Sequence, residues 1–298
     1  MCAYLIKQYP KLRVKIEGKK IMDTLTHNDD TSSLNHMCVT GNTAMCLYLM
    51  KKYPSTLHQK GPLGSHCLHL IAASGIVNCF KSVIPLVHPG KTKYEAEQFI
   101  ETLTDDYGQT CLHHACVKGH AEMCLYLAEE YWSLLEKKNR YGSHCLHLAA
   151  KSGRVDCFKV VVILILGDKT KSNVLSSLET LTNRNGKTVL HKAGVKGKTE
   201  MCEYLVSEFP SLLSQRSVGG NHCLHYIAQS GQIECFKSVA TLTLKGKNEK
   251  EREKFMLDLK NNRGKTVLEK ARENQQTEMC SYLEREFNFL SEKKLHAH

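Results

Sequence analysis

Written beneath itself with an offset of 78 residues, the chain aligns without gaps from residue 31 onward. TCLHHACVKGHAEMCLYL, from Thr110, returns as TVLHKAGVKGKTEMCEYL from Thr188 and TVLEKARENQQTEMCSYL from Thr266. A second type, HCLHLIAASGIVNCFKSV from His66, returns as HCLHLAAKSGRVDCFKVV from His144 and HCLHYIAQSGQIECFKSV from His222. Short repeats at 31–64, 109–142, 187–220 and 265–298 alternate with long ones at 65–108, 143–186 and 221–264. They have 34 and 44 residues, which together make the period. Residues 1–30 read as a partial repeat, since MCAYLIKQYPKL resembles MCLYLMKKYPSTL from Met45. Such a repeat is one supersecondary element that can bury its apolar face only on its neighbours, so a stacked solenoid is predicted.

Each repeat reads as two antiparallel helices. Thr110, Thr188 and Thr266 are placed to cap the first helix through their hydroxyls; in the long repeats Ser65, Ser143 and Asn221 are the expected caps. Gly41, Gly75, Gly119, Gly153, Gly197 and Gly231 follow the first helix, where a left-handed residue turns the chain. A second apolar-periodic helix comes next, as at Ala121 to Glu130. The long repeats add KTKYEAEQFIETL, KTKSNVLSSLETL or KNEKEREKFMLDL, each predicting a short third helix after a basic loop. The expected fold is an all-α helical repeat solenoid forming one elongated domain.

The pattern resembles the ankyrin repeat, with its T-P-L-H-x-A-A stretch, a Gly and an apolar second helix. It stands here as Thr110-Cys-Leu-His-His-Ala-Cys and His144-Cys-Leu-His-Leu-Ala-Ala. The resemblance covers 31–298 and, as a fragment, 1–30. Cys111, Cys145 and Val189 occupy the family's Pro position, Asn35 and Glu269 replace its His, and the 44-residue repeats are longer than usual. Glu269 and Gln275 in the last repeat, where inner ones carry His and Gly, suit a terminal cap. The opening in a second helix suits a fragment of a longer array or a decayed first repeat.

Three H-C-L-H segments, from His66, His144 and His222, offer zinc-type ligands. Yet no second ligand pair follows at finger-like spacing, and each copy lies in a different repeat. The resemblance implies instead that His69, His113, His147, His191 and His225 are structural, hydrogen-bonding neighbouring backbone. The fourteen cysteines recur at repeat positions, as Cys46, Cys124, Cys202 and Cys280 do, which suits packed thiols rather than disulfides. Cys111 with His113 or His114 could form a nucleophile and base, but equivalent positions become Val189 and Lys192. No Gly-rich phosphate loop or H-E-x-x-H is present. A non-enzymatic chain without cofactor, metal or small-molecule substrate is expected.

Surface recognition remains. The resemblance implies that partners meet a concave face built from inter-repeat turn tips and the exposed side of each first helix. Those tips fall at 27–30, 60–63, 105–107, 138–141, 183–185, 215–218 and 261–263. Asp105, Asp106, Tyr107, Lys138, Arg140, Tyr141, Arg184, Arg216 and Arg263 are the expected partner-binding residues, acidic early and basic later. Tyr and Arg are enriched at interface centres.

The expected function is protein–protein interaction as an adaptor, scaffold or recognition module. The net charge of +11 supports an alternative. Lys91, Lys93, Lys169, Lys171, Lys245, Lys247 and Lys250 would form a basic edge for nucleic acid or anionic lipid. A third reading is the targeting domain of a larger enzyme or effector. The longest apolar run, Val160 to Leu166, is far short of a bilayer span, and no secretory leader pattern opens the chain. An intracellular location is expected, in the cytoplasm first and the nucleus second.

Overall fold

The computed structural model describes residues 37–287, apart from 88, 91, 167–177 and 179. The partial repeat 1–30, the tip at 27–30, Lys91, Lys169 and Lys171 lie outside the described residues. The chain divides after Arg140 into two compact bodies. The first contains α1 (Thr43–Lys52), α2 (Cys67–Ser74), α3 (Val77–Val87), α4 (Lys93–Thr102), α5 (Cys111–Lys118) and α6 (Ala121–Glu130). The second contains α7 (Cys145–Ser152), α8 (Val155–Leu166), α9 (Val189–Val195), α10 (Thr199–Glu208), α11 (Cys223–Gln229) and α12 (Ile233–Thr243). It continues with α13 (Glu249–Asp258), α14 (Val267–Glu273) and α15 (Thr277–Phe287). The all-α helical-repeat fold expected from the periodicity is the one observed.

First helices stack on first helices: α2 on α5 in the first body, and α7, α9, α11 and α14 in succession in the second. Their apolar positions, among them Leu68, Ile71, Leu112, Leu190 and Leu224, are essentially fully buried. The second helices carry a recurrent aromatic joint. Phe80, Phe158 and Phe236, all fully buried, meet Tyr126, Tyr204 and Tyr282 edge-on at 6.0, 6.1 and 6.1 Å. Lys81, Lys159 and Lys237, each next along the chain from the Phe, lie over the same tyrosine rings. One Phe-Lys pair thus holds the next repeat's Tyr by an edge contact and a cation–π contact, each worth roughly 0.5–1.5 kcal/mol.

The third helices form where expected at α4 and α13, capped by Thr92 with Glu95 and Asn248 with Glu251. Buried Ile100 and Met256 anchor them. In the middle long repeat most of this segment lies outside the described residues. Short 3-10 turns at Pro54–His58, Trp132–Leu135 and Pro210–Leu213 follow the second helices of the short repeats.

The caps of the long repeats differ from expectation. His66, His144 and His222, not Ser65, Ser143 and Asn221, occupy the cap positions. In extended backbone the imidazole Nδ1 reaches the helix's first turn: His66 accepts from Leu68 N at 3.2 Å and His222 from Leu224 N at 3.2 Å. A ring nitrogen does what the hydroxyl of Thr110 does in the short repeats, where it accepts from His113 N.

The six glycines after the first helices all adopt positive φ, from 59° to 81°. In the last repeat Gln275 holds the same conformation at φ 57°, despite its side chain.

Candidate protein-interaction surface

The segments linking the repeats form hairpin fingers with one construction. At the tips that begin at 105, 183 and 261, the first residue closes the turn with its side chain. Asp105 Oδ1 accepts from Tyr107 N and Gln109 N at 2.9 and 2.8 Å. Asn183 accepts from Asn185 N and Lys187 N at 3.0 and 2.9 Å, and Asn261 from Arg263 N and Lys265 N at 2.9 and 3.0 Å. A glycine with positive φ ends the finger turns, at Gly108, Gly142, Gly186, Gly220 and Gly264.

Adjacent fingers are joined backbone to backbone. In the first body Asp106 N donates to Leu63 O and Arg140 N to Tyr107 O, at 3.0 and 2.9 Å. In the second, Arg184 N donates to Tyr141 O, Val218 N to Asn185 O and Asn262 N to Gly219 O, at 3.0–3.1 Å.

The motif histidines brace this edge from behind. Each accepts at Nδ1 from the backbone N–H of its own cap, so the neutral ring carries its proton on Nε2. That proton goes to a carbonyl 30 to 40 residues away: His69 to Leu103 at 3.3 Å, His147 to Lys187 at 3.0 Å, His191 to Asn221 and His225 to Lys265 at 3.1 Å. Burial, the largest influence, pushes His69 down to about 3 and His191 and His225 down to about 4. With both nitrogens engaged, these rings tie distant segments together, within one repeat for His69 and across adjacent repeats for the other three, rather than offering a lone pair to a metal. Cys111 is likewise fully buried, with its thiol pushed up by desolvation, and His114 sits against Asp105, Nε2 to Oδ2 at 3.0 Å.

The expected partner-binding residues separate by geometry. Asp106, Lys138, Arg140, Tyr141, Arg184, Arg216 and Arg263 are exposed, and Tyr107 is half-buried. Asp105 is buried, its carboxylate occupied by the turn and His114. Arg216 also works inside the array, its guanidinium donating to Gly220 O and Lys260 O, both at 3.1 Å. Exposed Leu63 and Val218 add apolar surface at the tips that charge patterning alone did not single out, and exposed Trp132 adds it on the 3-10 turn after α6. Of the basic-edge lysines, Lys93 is shared between Glu97 and Glu130 at 3.7 and 3.6 Å. Among the described residues no helix is long and apolar enough to cross a membrane.

Comparison with known proteins agrees with this architecture. The family described as "Ankyrin repeats (3 copies)" matches residues 34–132, 68–173 and 160–250. The chain is 30% identical over 129 residues to mouse (Mus musculus) Protein fem-1 homolog A-like, covering 39% of this chain and 17% of the relative. It is 23% identical over 166 residues to mouse Synphilin-1, covering 53% of this chain and 16% of the relative. The chain thus aligns with less than a fifth of either relative's length.

Proposed function

Since this chain belongs to the ankyrin-repeat family, we propose that it is a non-catalytic protein-interaction module, an adaptor, scaffold or recognition domain, that takes up its partner on the finger edge. The observation that carries the reading is the division of labour within the fingers. The turn-closing side chain and the glycine are spent on backbone geometry. Between them stand the exposed Asp106, Arg140, Tyr141, Arg184, Val218 and Arg263 and the half-buried Tyr107, which differ from finger to finger. Fixed backbone with variable side chains is a preorganised recognition surface, because little order remains to be imposed on binding. A reducing compartment, cytoplasm or nucleus, suits a chain whose thirteen described cysteines are all free thiols.

The test is affinity capture from source-cell lysate, with and without nuclease. The control bait carries acidic residues at Arg140, Arg184 and Arg216. A protein retained through nuclease and lost from the control supports the reading. Capture that vanishes with nuclease and ignores the substitutions refutes it in favour of anion binding.

A further inference from the structure

We propose that the first-helix face of the second body binds an acidic protein segment, whose carboxylates complete a cluster of Lys151, Lys187 and Lys192. This rests on the protein-binding reading above and adds the chemistry of the partner.

The cluster is assembled from two repeats. Lys151 lies in the last turn of α7, Lys192 in α9, and Lys187 on the finger segment leading into α9. Among the described residues none of the three has a carboxylate within ion-pair distance. Lys192 is half-buried and faces two like charges; burial first, then Lys187 and Lys151, pushes its ammonium down to about 8. Holding like charges together in partly desolvated surroundings is unfavourable, and an opposing charge within about 4–6 Å reverses it.

Among the described residues none supplies such a charge. Asp105, which closes one tip in the first body, is replaced one and two periods later by Asn183 and Asn261, and Ser217 serves the tip between them. The turn needs only an accepting oxygen, and these keep it without the negative charge. The consequence reaches the buried histidines. Asp105 favours the charged form of His69, whereas Lys187 opposes charging of His191, and Arg216 and Lys270 oppose that of His225. Glu273, on α14 of the same body, is already paired with Lys265 and Lys270.

Charge complementarity therefore selects an anion, and the local shape favours a peptide over nucleic acid. Tyr226 is the half-exposed aromatic of this face, but Lys187 Nζ covers its ring at 4.0 Å and His191 meets it edge-on at 5.5 Å. A base has no open ring there on which to stack. Exposed Val218, on the neighbouring finger, offers an apolar contact beside the charges. An extended segment of Glu or Asp with interspersed apolar side chains fits both.

The test uses the whole chain and a fluorescein-labelled peptide of Glu, Leu and Gly, with its Gln-for-Glu counterpart and oligothymidylate as competitors. We expect anisotropy to report binding of the Glu peptide that weakens roughly tenfold in the Lys187→Met/Lys192→Met double variant. Lys192→Arg should retain binding, and the Lys192 side-chain NMR titration should move upward in pH when the peptide is added. Urea unfolding of each variant verifies the fold. Failure of the Glu peptide to bind, equal binding of the Gln peptide, wild-type affinity in the folded double variant, or stronger competition by oligothymidylate would each overturn the proposal. A partner captured through Arg184 and Arg216 but indifferent to the lysine substitutions would refute this inference and leave the protein-binding reading standing.

Discussion

The main-chain N–H of Arg184 donates to the carbonyl oxygen of Tyr141 at 3.1 Å, and Gly142 follows so closely that a β-carbon on it would stand 3.0 Å from that same nitrogen. The hydrogen bond and the missing side chain are two sides of one requirement. Fingers from successive repeats approach closely enough to bond only because the residue after the accepting carbonyl has no Cβ. Gly186 repeats the arrangement, with a β-carbon 2.6 Å from Val218 N.

This separates two costs of replacing a finger glycine. Gly264 shares the left-handed backbone at φ 69° but has open space where a Cβ would go. Gly264→Ala should cost about 1 kcal/mol, the backbone strain alone. Gly186→Ala adds the collision with Val218 N and should cost at least about twice as much, because the finger bond must lengthen or break. Urea midpoints of the two variants check the ordering.

Acid should unfold the array through its histidines. His69 and His222 are pushed down to about 3, and His191 and His225 to about 4, chiefly by burial, from an ordinary value of 6.5. Their folded-state pKa values are depressed, so below 6.5 the unfolded chain binds more protons. Stability is therefore full above that pH and falls as pH drops toward 4. Each histidine withdraws up to about 1.4 kcal/mol per pH unit in this window. Melting temperatures between pH 7 and pH 5 should fall steeply, and His225→Gln should flatten the slope while lowering stability at pH 7.

Thiol chemistry offers a direct check on packing. Of the described cysteines all but Cys280 are buried, and burial pushes Cys67 and Cys223 up to about 12. With Cys2 replaced by Ser, a disulfide reagent should react readily with Cys280 in the native protein. In denaturant it should react with all thirteen remaining thiols. Ready native reaction at several sites would contradict a close-packed interior.

Gln275 is a site for stabilisation. It holds φ 57°, a conformation that costs a side-chain-bearing residue roughly 1–2 kcal/mol and glycine almost nothing. Gln275→Gly should raise the melting temperature, less the entropy glycine gains in the unfolded state. The equivalent change at Gln276, whose side chain crosses Gly231 of the preceding repeat, should not.

Much of this was legible in the sequence because a repeat protein writes its structure locally. The Thr caps and the glycines after the first helices concern neighbours within one turn of chain, and the alternation of 34 and 44 residues writes them out again in every repeat. The recurring histidines and cysteines were read as structural, and the hydrogen bonds and burial explain why. The cap positions of the long repeats were misread because a histidine acting through Nδ1 does not announce itself as Ser or Asn would. The Phe-Lys-Tyr joint was also missed: Phe158 and Tyr204 are separated in sequence and their pairing shows no local periodicity.

By itself, the sequence determined that this protein is a stack of helix pairs with buried thiols and polar fingers, since each repeat must cover its apolar face with the next. Only the tertiary structure decided how the finger residues are used. It turned Asp105 inward to hold a turn, set Arg216 against two carbonyls, and gathered Lys151, Lys187 and Lys192 without a counter-charge. The Asp105 turn is local, but the Arg216 bond to Lys260 and the lysine cluster join residues some forty positions apart, and the stacking of repeats sets their direction and distance.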